Sequence, residues 1–209
     1  LPSVAHRFIP MPQRLILASG SSIRSQLLQQ ACVPHEVSVA QIDEQMIKMA
    51  LLSEQAPPRD IADTLAEMKA RKVSDKTPGA LVLGCDQVLD HRGTLLSKPA
   101  TPDEAIAQLK SLRGDRHSLL SAAVIVEDGK PIWRHVGQVR LRMRDASDDY
   151  IHDYVARNWD SISHAVGAYK LEEEGVRLFS GIEGDYFNVL GLPLLELLNY
   201  LTLRGDLSA

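Results

Sequence analysis

The sequence predicts an α/β protein built on a mixed sheet. Short apolar runs alternate with segments of helical spacing, the pattern of strands and helices in turn. Turn-punctuated pairs of runs interrupt that alternation, so antiparallel hairpins stand among any parallel pairing. The composition, 44% apolar and 24% charged over 209 residues, is that of a folded globular chain. This length is about 1.4 times a typical domain, which suits one large or bilobed unit.

The folded pattern begins at Arg14. Residues 1–13, with Pro10 and Pro12, are expected to form a disordered or loosely ordered extension before a single domain over 14–209. Leu15-Ile16-Leu17-Ala18 reads as a buried strand, and Ser19-Gly20-Ser21-Ser22 breaks it. Ile23, Leu27 and Leu28 recur at helical spacing behind Ser21 or Ser22 as N-cap. Glu36 to Val39 reads as a second strand. Asp43-Glu44 then open an apolar-periodic stretch through Met46, Met49 and Leu52. After Pro57-Pro58, Ile61, Leu65, Met68 and Val73 mark a helix from about Arg59 to Ser74.

Leu81 to Cys85 is the cleanest buried strand, with Asp86-Gln87 expected at its end. Val88-Leu89 and Leu95-Leu96 flank His91-Arg92-Gly93 as a hairpin. Pro102-Asp103-Glu104 start a helix that closes near Gly114, as proline and first-turn acids favour. His117 to Val126 and Pro131 to Met143 read as two long strands joined at Asp128-Gly129. Ser147 caps a helix to about Arg157, Ala165 to Leu171 is expected to be a strand, and Leu194 to Leu201 lie on a last helix.

Composition narrows the function. The charge of −4 and pI near 6.0 disfavour a duplex-binding face, since no basic stripe exists to release phosphate counterions. No run reaches the ~18 apolar residues of a membrane span. Cys32 and Cys85 read as two reduced, buried thiols of a cytoplasmic protein. There is no CxxC pair and no HExxH, which disfavours a Cys/His zinc site, and no GxGxxG or GxxxxGK[ST], so the two commonest nucleotide loops are absent.

Four places combine strand ends with polar residues. Ser19 to Arg24 offers hydroxyls, N–H groups and a guanidinium at a helix start, which suits a phosphate; taken alone, an ordinary cap accounts for it. Asp43-Glu44 can hold Mg²⁺ with waters, or simply complement a helix dipole. Asp86-Gln87 places a carboxylate beside a buried strand, where sites open. Ser97-Lys98-Pro99 fixes a lysine before a proline that restricts its backbone.

Their joint order is far more specific. LILASGSSIRSQLL, QIDE, GALVLGCDQVL, LLSKP, LKSLRGDRHSLLSA, SHAVGAYKLEEEG and IEGDYFNVLGLPLLELL occur in that order. Together, over about Arg14 to Leu203, they resemble the Maf family of nucleoside triphosphate pyrophosphatases. The resemblance implies an elongated, two-lobed mixed-sheet fold with a central cleft, related to inosine-triphosphate-type pyrophosphatases. It implies hydrolysis of a nucleoside triphosphate to the monophosphate and pyrophosphate with a divalent metal (Mg²⁺, or Mn²⁺ or Co²⁺), and a homodimer. By the same resemblance Asp86 is the general base and Lys98 a catalytic phosphate-binding lysine. Ser19, Arg24 and Lys69 match its motif residues and are read as binding substrate; Glu44, with Asp86 as a second candidate, is read as holding the metal, and whether Asp86 is base, metal ligand or both stays open.

Three departures bear on the base. Pyrimidine-preferring members carry two adjacent arginines where this chain has Ile23-Arg24, threonine where it has Gln87, and glutamine where it has Glu172. Gln87 and Glu172 are similar to the subgroup acting on 7-methyl-GTP, although an aromatic residue is expected there in place of Ile23. A carboxylate can accept from both N1–H and the N2 amino group of guanine, whereas uracil and thymine offer only N3–H. The leading expectation is therefore a 7-methyl-GTP or other modified-nucleotide pyrophosphatase. The rivals are a pyrimidine-type (dTTP/UTP) enzyme and a non-catalytic nucleotide-binding regulator of cell division. No nucleic-acid or membrane partner is expected.

Overall fold

A computed structural model describes residues 13–208. The expected extension therefore falls outside the described residues except for Gln13, which is held in place: its amide donates to the Gly79 carbonyl at 2.8 Å and to Glu127. One mixed seven-stranded sheet organises the chain, as the alternation with hairpins predicts.

The chain opens with β1 (Leu15–Leu17), α1 (Ser22–Gln30) and β2 (Glu36–Val37), and β2 lies parallel to β1. Two helices follow, α2 (Glu44–Ser53) and α3 (Pro58–Ser74). β3 (Leu81–His91) then runs parallel to β1 and turns back into β4 (Thr94–Leu96). After α4 (Pro102–Leu112), the long hairpin β5 (Arg116–Glu127) and β6 (Lys130–Met143) extends the sheet. The chain closes through α5 (Asp148–Ile162), β7 (Phe179–Glu183), α6 (Tyr186–Val189) and α7 (Leu194–Arg204). The strand order is β2-β1-β3-β5-β6-β7, with β4 paired to β3 outside that path.

Alternate residues of the long strands face opposite layers. Leu81, Leu83 and Cys85 of β3 pack with Leu27 and Leu28 of α1 and Leu197 and Leu201 of α7. Val82 and Val88 point the other way, toward Ile61, Leu65 and Ala66 of α3. Further along, Leu89, Leu119, Val139 and Leu141 join α4 and α5 in a third cluster. β3, β5 and β6 thus span two lobes, one covered on both faces and one on a single face. In the second lobe the strict alternation of β6 from Gln138 to Met143 shows that half-covered state, with Arg140 and Arg142 outward.

α3 explains much of the first lobe. Pro58 sits at its first position, Asp60 in its first turn, and Arg71 and Lys72 in its last, all suited to the helix ends. Its buried stripe is Ile61, Leu65, Ala66, Lys69, Ala70 and Val73. Lys69 is the one charged residue on that stripe.

Four expectations are corrected. β3 does not end at Cys85: it continues to His91, so Asp86 and Gln87 lie inside a strand paired throughout with β5. Ala165 to Leu171 is not a strand; Val166–Ala168 is a 3₁₀ turn in which Gly167 (φ 76°) and Ala168 (φ 60°) adopt the left-handed region. Cys85 is buried, but Cys32 is exposed in the left-handed turn after α1. The apolar periodicity of α2 buries none of its residues fully: Ile47 and Leu51 rest on the α3 core, while Met46, Met49 and Leu52 face solvent. Among the described residues no helix is long and apolar enough to cross a membrane.

Candidate active site

The site opens at a gap in the sheet edge. β1 pairs with Leu81–Leu83 of β3, and β4 pairs with Leu89–His91 on the same edge. Between them, residues 84–88 have β5 on one side and no strand on the other. The Ser19-Gly20 loop at the end of β1, the start of α2 and the middle of α3 converge on that gap.

Lys69 and Asp86 form its buried centre. Their side chains are each 10% exposed, and Lys69 Nζ stands 2.8 Å from Asp86 Oδ1. The same ammonium lies 3.1 Å from Glu44 Oε1 and donates to the Cys85 carbonyl at 3.3 Å. An ammonium has three N–H donors, so all of them are engaged by protein. Burial raises the Asp86 carboxyl above its ordinary range, against the pull of Lys69 and Arg24, and the nearby Glu44 charge raises it further. A carboxylate held this way is a better proton acceptor than one in water.

Glu44 is placed by helix chemistry. Asp43 caps α2 by accepting from the Met46 N–H at 3.0 Å, which puts Glu44 in the first turn facing Lys69. Arg24, one turn into α1, donates from Nε to the Gly191 carbonyl at 2.7 Å and from Nη1 to Ser19 Oγ at 3.0 Å. Three of its five donors have no partner among the described residues. Gly191 (φ 99°) permits this approach, since a Cβ there would stand 3.1 Å from the guanidinium.

Gln87 points to the opposite face of β3. Its register partner is Ser121, which in turn faces Gly137 of β6. Gln87 Nε2 donates to the carbonyls of Asn188 and Val189, each at 3.0 Å, and lies 3.1 Å from Ser121 Oγ. Ser121 Oγ donates to the same Asn188 carbonyl at 2.6 Å. Two carbonyl acceptors fix which amide atom is nitrogen. The group therefore offers a ligand only its acceptor, Oε1. Gly137 makes room for this arrangement, because a Cβ there would overlap the Asn188 side-chain amide.

The glutamates after Lys170 separate clearly. Glu174 is tied to Arg157 at 2.6 Å and to Asn158 at 2.7 Å, and Glu173 accepts from Ser161. Glu172 is exposed, has no such partner among the described residues, and its charge is felt by Tyr186, two residues before Asn188. Ile23 packs against the α1–α7 core.

Lys98 is exposed on the loop after β4. Its neighbour Ser97 is held twice: Oγ accepts from Lys48 Nζ at 3.1 Å, and the carbonyl accepts from Gln108 at 2.9 Å. The structure thus gathers Ser19, Arg24, Glu44, Lys69 and Asp86 at one gap. Gln87 stands on the other side of the strand, Glu172 lies toward Tyr186, and Lys98 lies on the loop reached from α2. Ser121, Asn188 and Lys48 escaped the sequence reading. The signal for Lys48 was its position four residues after Glu44, on the same helical face.

The donor set fits a hard divalent cation. Glu44 and Asp86 are two oxygen donors facing one ammonium, and Mg²⁺ is commonly held by one or two carboxylates with water and substrate phosphates. No third His, Cys, Asp or Glu joins them among the described residues.

A family profile described as Maf-like protein matches residues 14–203. A nucleoside triphosphate pyrophosphatase of Roseobacter denitrificans is 77% identical over 94% of this chain and 99% of its own length. The protein of that name in Ruegeria pomeroyi is 72% identical over 91% of this chain and 96% of its own. A 7-methyl-GTP pyrophosphatase of Brucella abortus is 44% identical over 90% of this chain and 94% of its own. A solved nucleoside-triphosphatase (dITP/XTP pyrophosphatase) structure from Mycobacterium abscessus aligns over 92% of this chain and 94% of its own, at 15% identity and a TM-score of 0.39, too low to carry any conclusion.

Proposed function

The chain belongs to the Maf-like protein family; as a nucleoside triphosphate pyrophosphatase it hydrolyses an acid anhydride, and we propose that the substrate is 7-methyl-GTP or another modified guanine-type nucleotide, cleaved to the monophosphate and pyrophosphate. The observation that carries the guanine reading is the state of Gln87. Both its N–H donors are spent on protein carbonyls, which leaves only the acceptor Oε1 for a ligand. Glu172, free of the pairing that occupies Glu173 and Glu174, adds a second acceptor. Two acceptors suit the N1–H and N2 amino donors of guanine, and one would be wasted on the single N3–H of a pyrimidine.

In this reading Asp86 takes a proton from the water that attacks the α-phosphorus. Lys69 holds that carboxylate in place, and burial keeps its proton affinity high. Lys98 and the Arg24 donors left over from Gly191 and Ser19, unpartnered among the described residues, neutralise the phosphates. Glu44 would hold the divalent cation, which when bound supplies further charge neutralisation on the triphosphate; Asp86 faces the same ammonium, but as a metal ligand it would be a weaker base, so in this reading it serves as the base. The protein acts in the cytoplasm on a free nucleotide, as a homodimer.

The test is a product assay over ordinary and modified triphosphates with Mg²⁺, Mn²⁺ and Co²⁺. Monophosphate and pyrophosphate are expected, fastest from 7-methyl-GTP. Faster turnover of dTTP or UTP would assign the pyrimidine specificity instead, and tight binding without any product would make the protein a regulator.

A further inference from the structure

Lys48 occupies a place that calls for an anion. It lies one turn after Glu44 on α2, half-buried, with its ammonium within the field of both Glu44 and Asp86. Yet among the described residues no carboxylate approaches it to ion-pair distance. Its one hydrogen bond goes to the neutral Ser97 hydroxyl, 3.1 Å away and next to Lys98. Two of its three donors remain free. Burial lowers its proton affinity below the ordinary lysine value, while Asp86 and Glu44 pull the other way.

Lys69 differs in every respect. Its three donors are taken by Glu44, Asp86 and the Cys85 carbonyl, so it has none for a phosphate unless it gives up the carboxylates it orders. The groups suited to the base, Gln87 and Glu172, lie toward Asn188 and Tyr186. Lys48 and the Ser97-Lys98 loop lie across the gap on the α2 side. A triphosphate whose α-phosphorus stands near Asp86 has Lys48 and the Ser97-Lys98 loop on the α2 side of the gap to receive its remaining phosphates.

We propose that Lys48 is a substrate-binding residue that, beside Lys98, grips the β- and γ-phosphates and the departing pyrophosphate, whereas Lys69 is a positioning residue for Asp86 and Glu44. The exchange is local: Lys48 leaves the Ser97 hydroxyl for phosphate oxygens on a flexible four-carbon stem. The proposal rests on the pyrophosphatase reading for the identity of the ligand, but its test does not require turnover.

The experiment is calorimetric titration of the full chain with inorganic pyrophosphate and with tripolyphosphate, Mg²⁺ present, for wild type, Lys48→Met, Lys48→Arg and Lys69→Met. Loss of one charge-assisted contact predicts that Lys48→Met weakens pyrophosphate binding about tenfold. It also predicts a comparable rise in KM for the triphosphate, with kcat changed much less. Lys48→Arg should restore most of the affinity, and binding of the nucleoside monophosphate should not change. Lys69→Met, where it folds, should lower kcat rather than pyrophosphate affinity. Wild-type affinity for pyrophosphate and tripolyphosphate in Lys48→Met would overturn the proposal, as would failure of the wild type to bind either. A wild type that binds pyrophosphate through Lys48 but hydrolyses no triphosphate would overturn the pyrophosphatase reading and leave the Lys48 site standing.

Discussion

Gly84 of β3 lies directly beneath Ala66 of α3: a Cβ at Gly84 would overlap the Ala66 carbonyl oxygen and stand 2.9 Å from the Ala70 Cβ. Lys69 projects from the same stretch of α3, and Asp86 lies two residues beyond Gly84. The missing side chain therefore sets the approach that lets a helix lysine reach a strand aspartate at 2.8 Å.

Gly84→Ala should push α3 off the sheet and open the Lys69–Asp86 pair. Overpacking of this kind costs about 1–3 kcal/mol, and urea denaturation would show it. The kcat of the folded variant should fall with the pair, while Gly93→Ala, at an exposed hairpin turn with nothing near its Cβ position, should leave kcat unchanged.

Removing one side of a buried ion pair leaves a charge without compensation, at a cost of about 3–5 kcal/mol. Lys69→Met should approach that figure, because Asp86 and Glu44 then face each other without their shared cation. Asp86→Asn should cost less: Glu44 still meets the ammonium, and the amide oxygen can still accept from it. The double variant should be less destabilised than the sum of the two singles.

His117 is buried, with Nε2 2.7 Å from the Tyr169 hydroxyl, and burial lowers it from 6.5 to about 4. The folded protein keeps the ring neutral where the unfolded chain takes a proton. The stability this protects is complete above pH 6.5 and falls as pH drops from 6.5 toward 4, by at most about 3 kcal/mol. Urea midpoints measured across that window should fall for the wild type. They should be flatter for His117→Phe, which cannot titrate.

Glu172→Ala should weaken turnover of guanine-type triphosphates about tenfold or more while changing pyrimidine substrates little, because an acceptor for a donor edge is lost. Equal losses across all bases, read as kcat/KM, would remove Glu172 from base recognition.

Much of this architecture was legible locally. The caps at Ser21 and Ser147, Pro58 at the start of α3 and the Asp128-Gly129 turn are short-range chemistry, and they fall where the residues indicate. Asp86 reads as a strand end in the sequence because a charge inside an apolar run looks like a boundary. Its continued pairing with Ala122 is a contact 36 residues away. Phe179–Glu183 carries no strand signal in the sequence, because only its first residue is buried and no alternation results. The segment from Ala165 carries strand-like residues, but two left-handed conformations at Gly167 and Ala168 break it. In the site, the motif residues could be named from resemblance. What each is free to do depends on which donors the fold has already engaged. That distinction separates Lys69 from Lys48 and Glu172 from Glu174, and no spacing reports it.

The most direct test of the account is hydrolysis of 7-methyl-GTP in ¹⁸O-labelled water by wild type and Asp86→Asn, with the products weighed by mass spectrometry. Attack at the α-phosphorus with Asp86 as base predicts label in the monophosphate, none in pyrophosphate, and loss of nearly all turnover in the variant. Label in pyrophosphate or inorganic phosphate, or full turnover in folded Asp86→Asn, would contradict it.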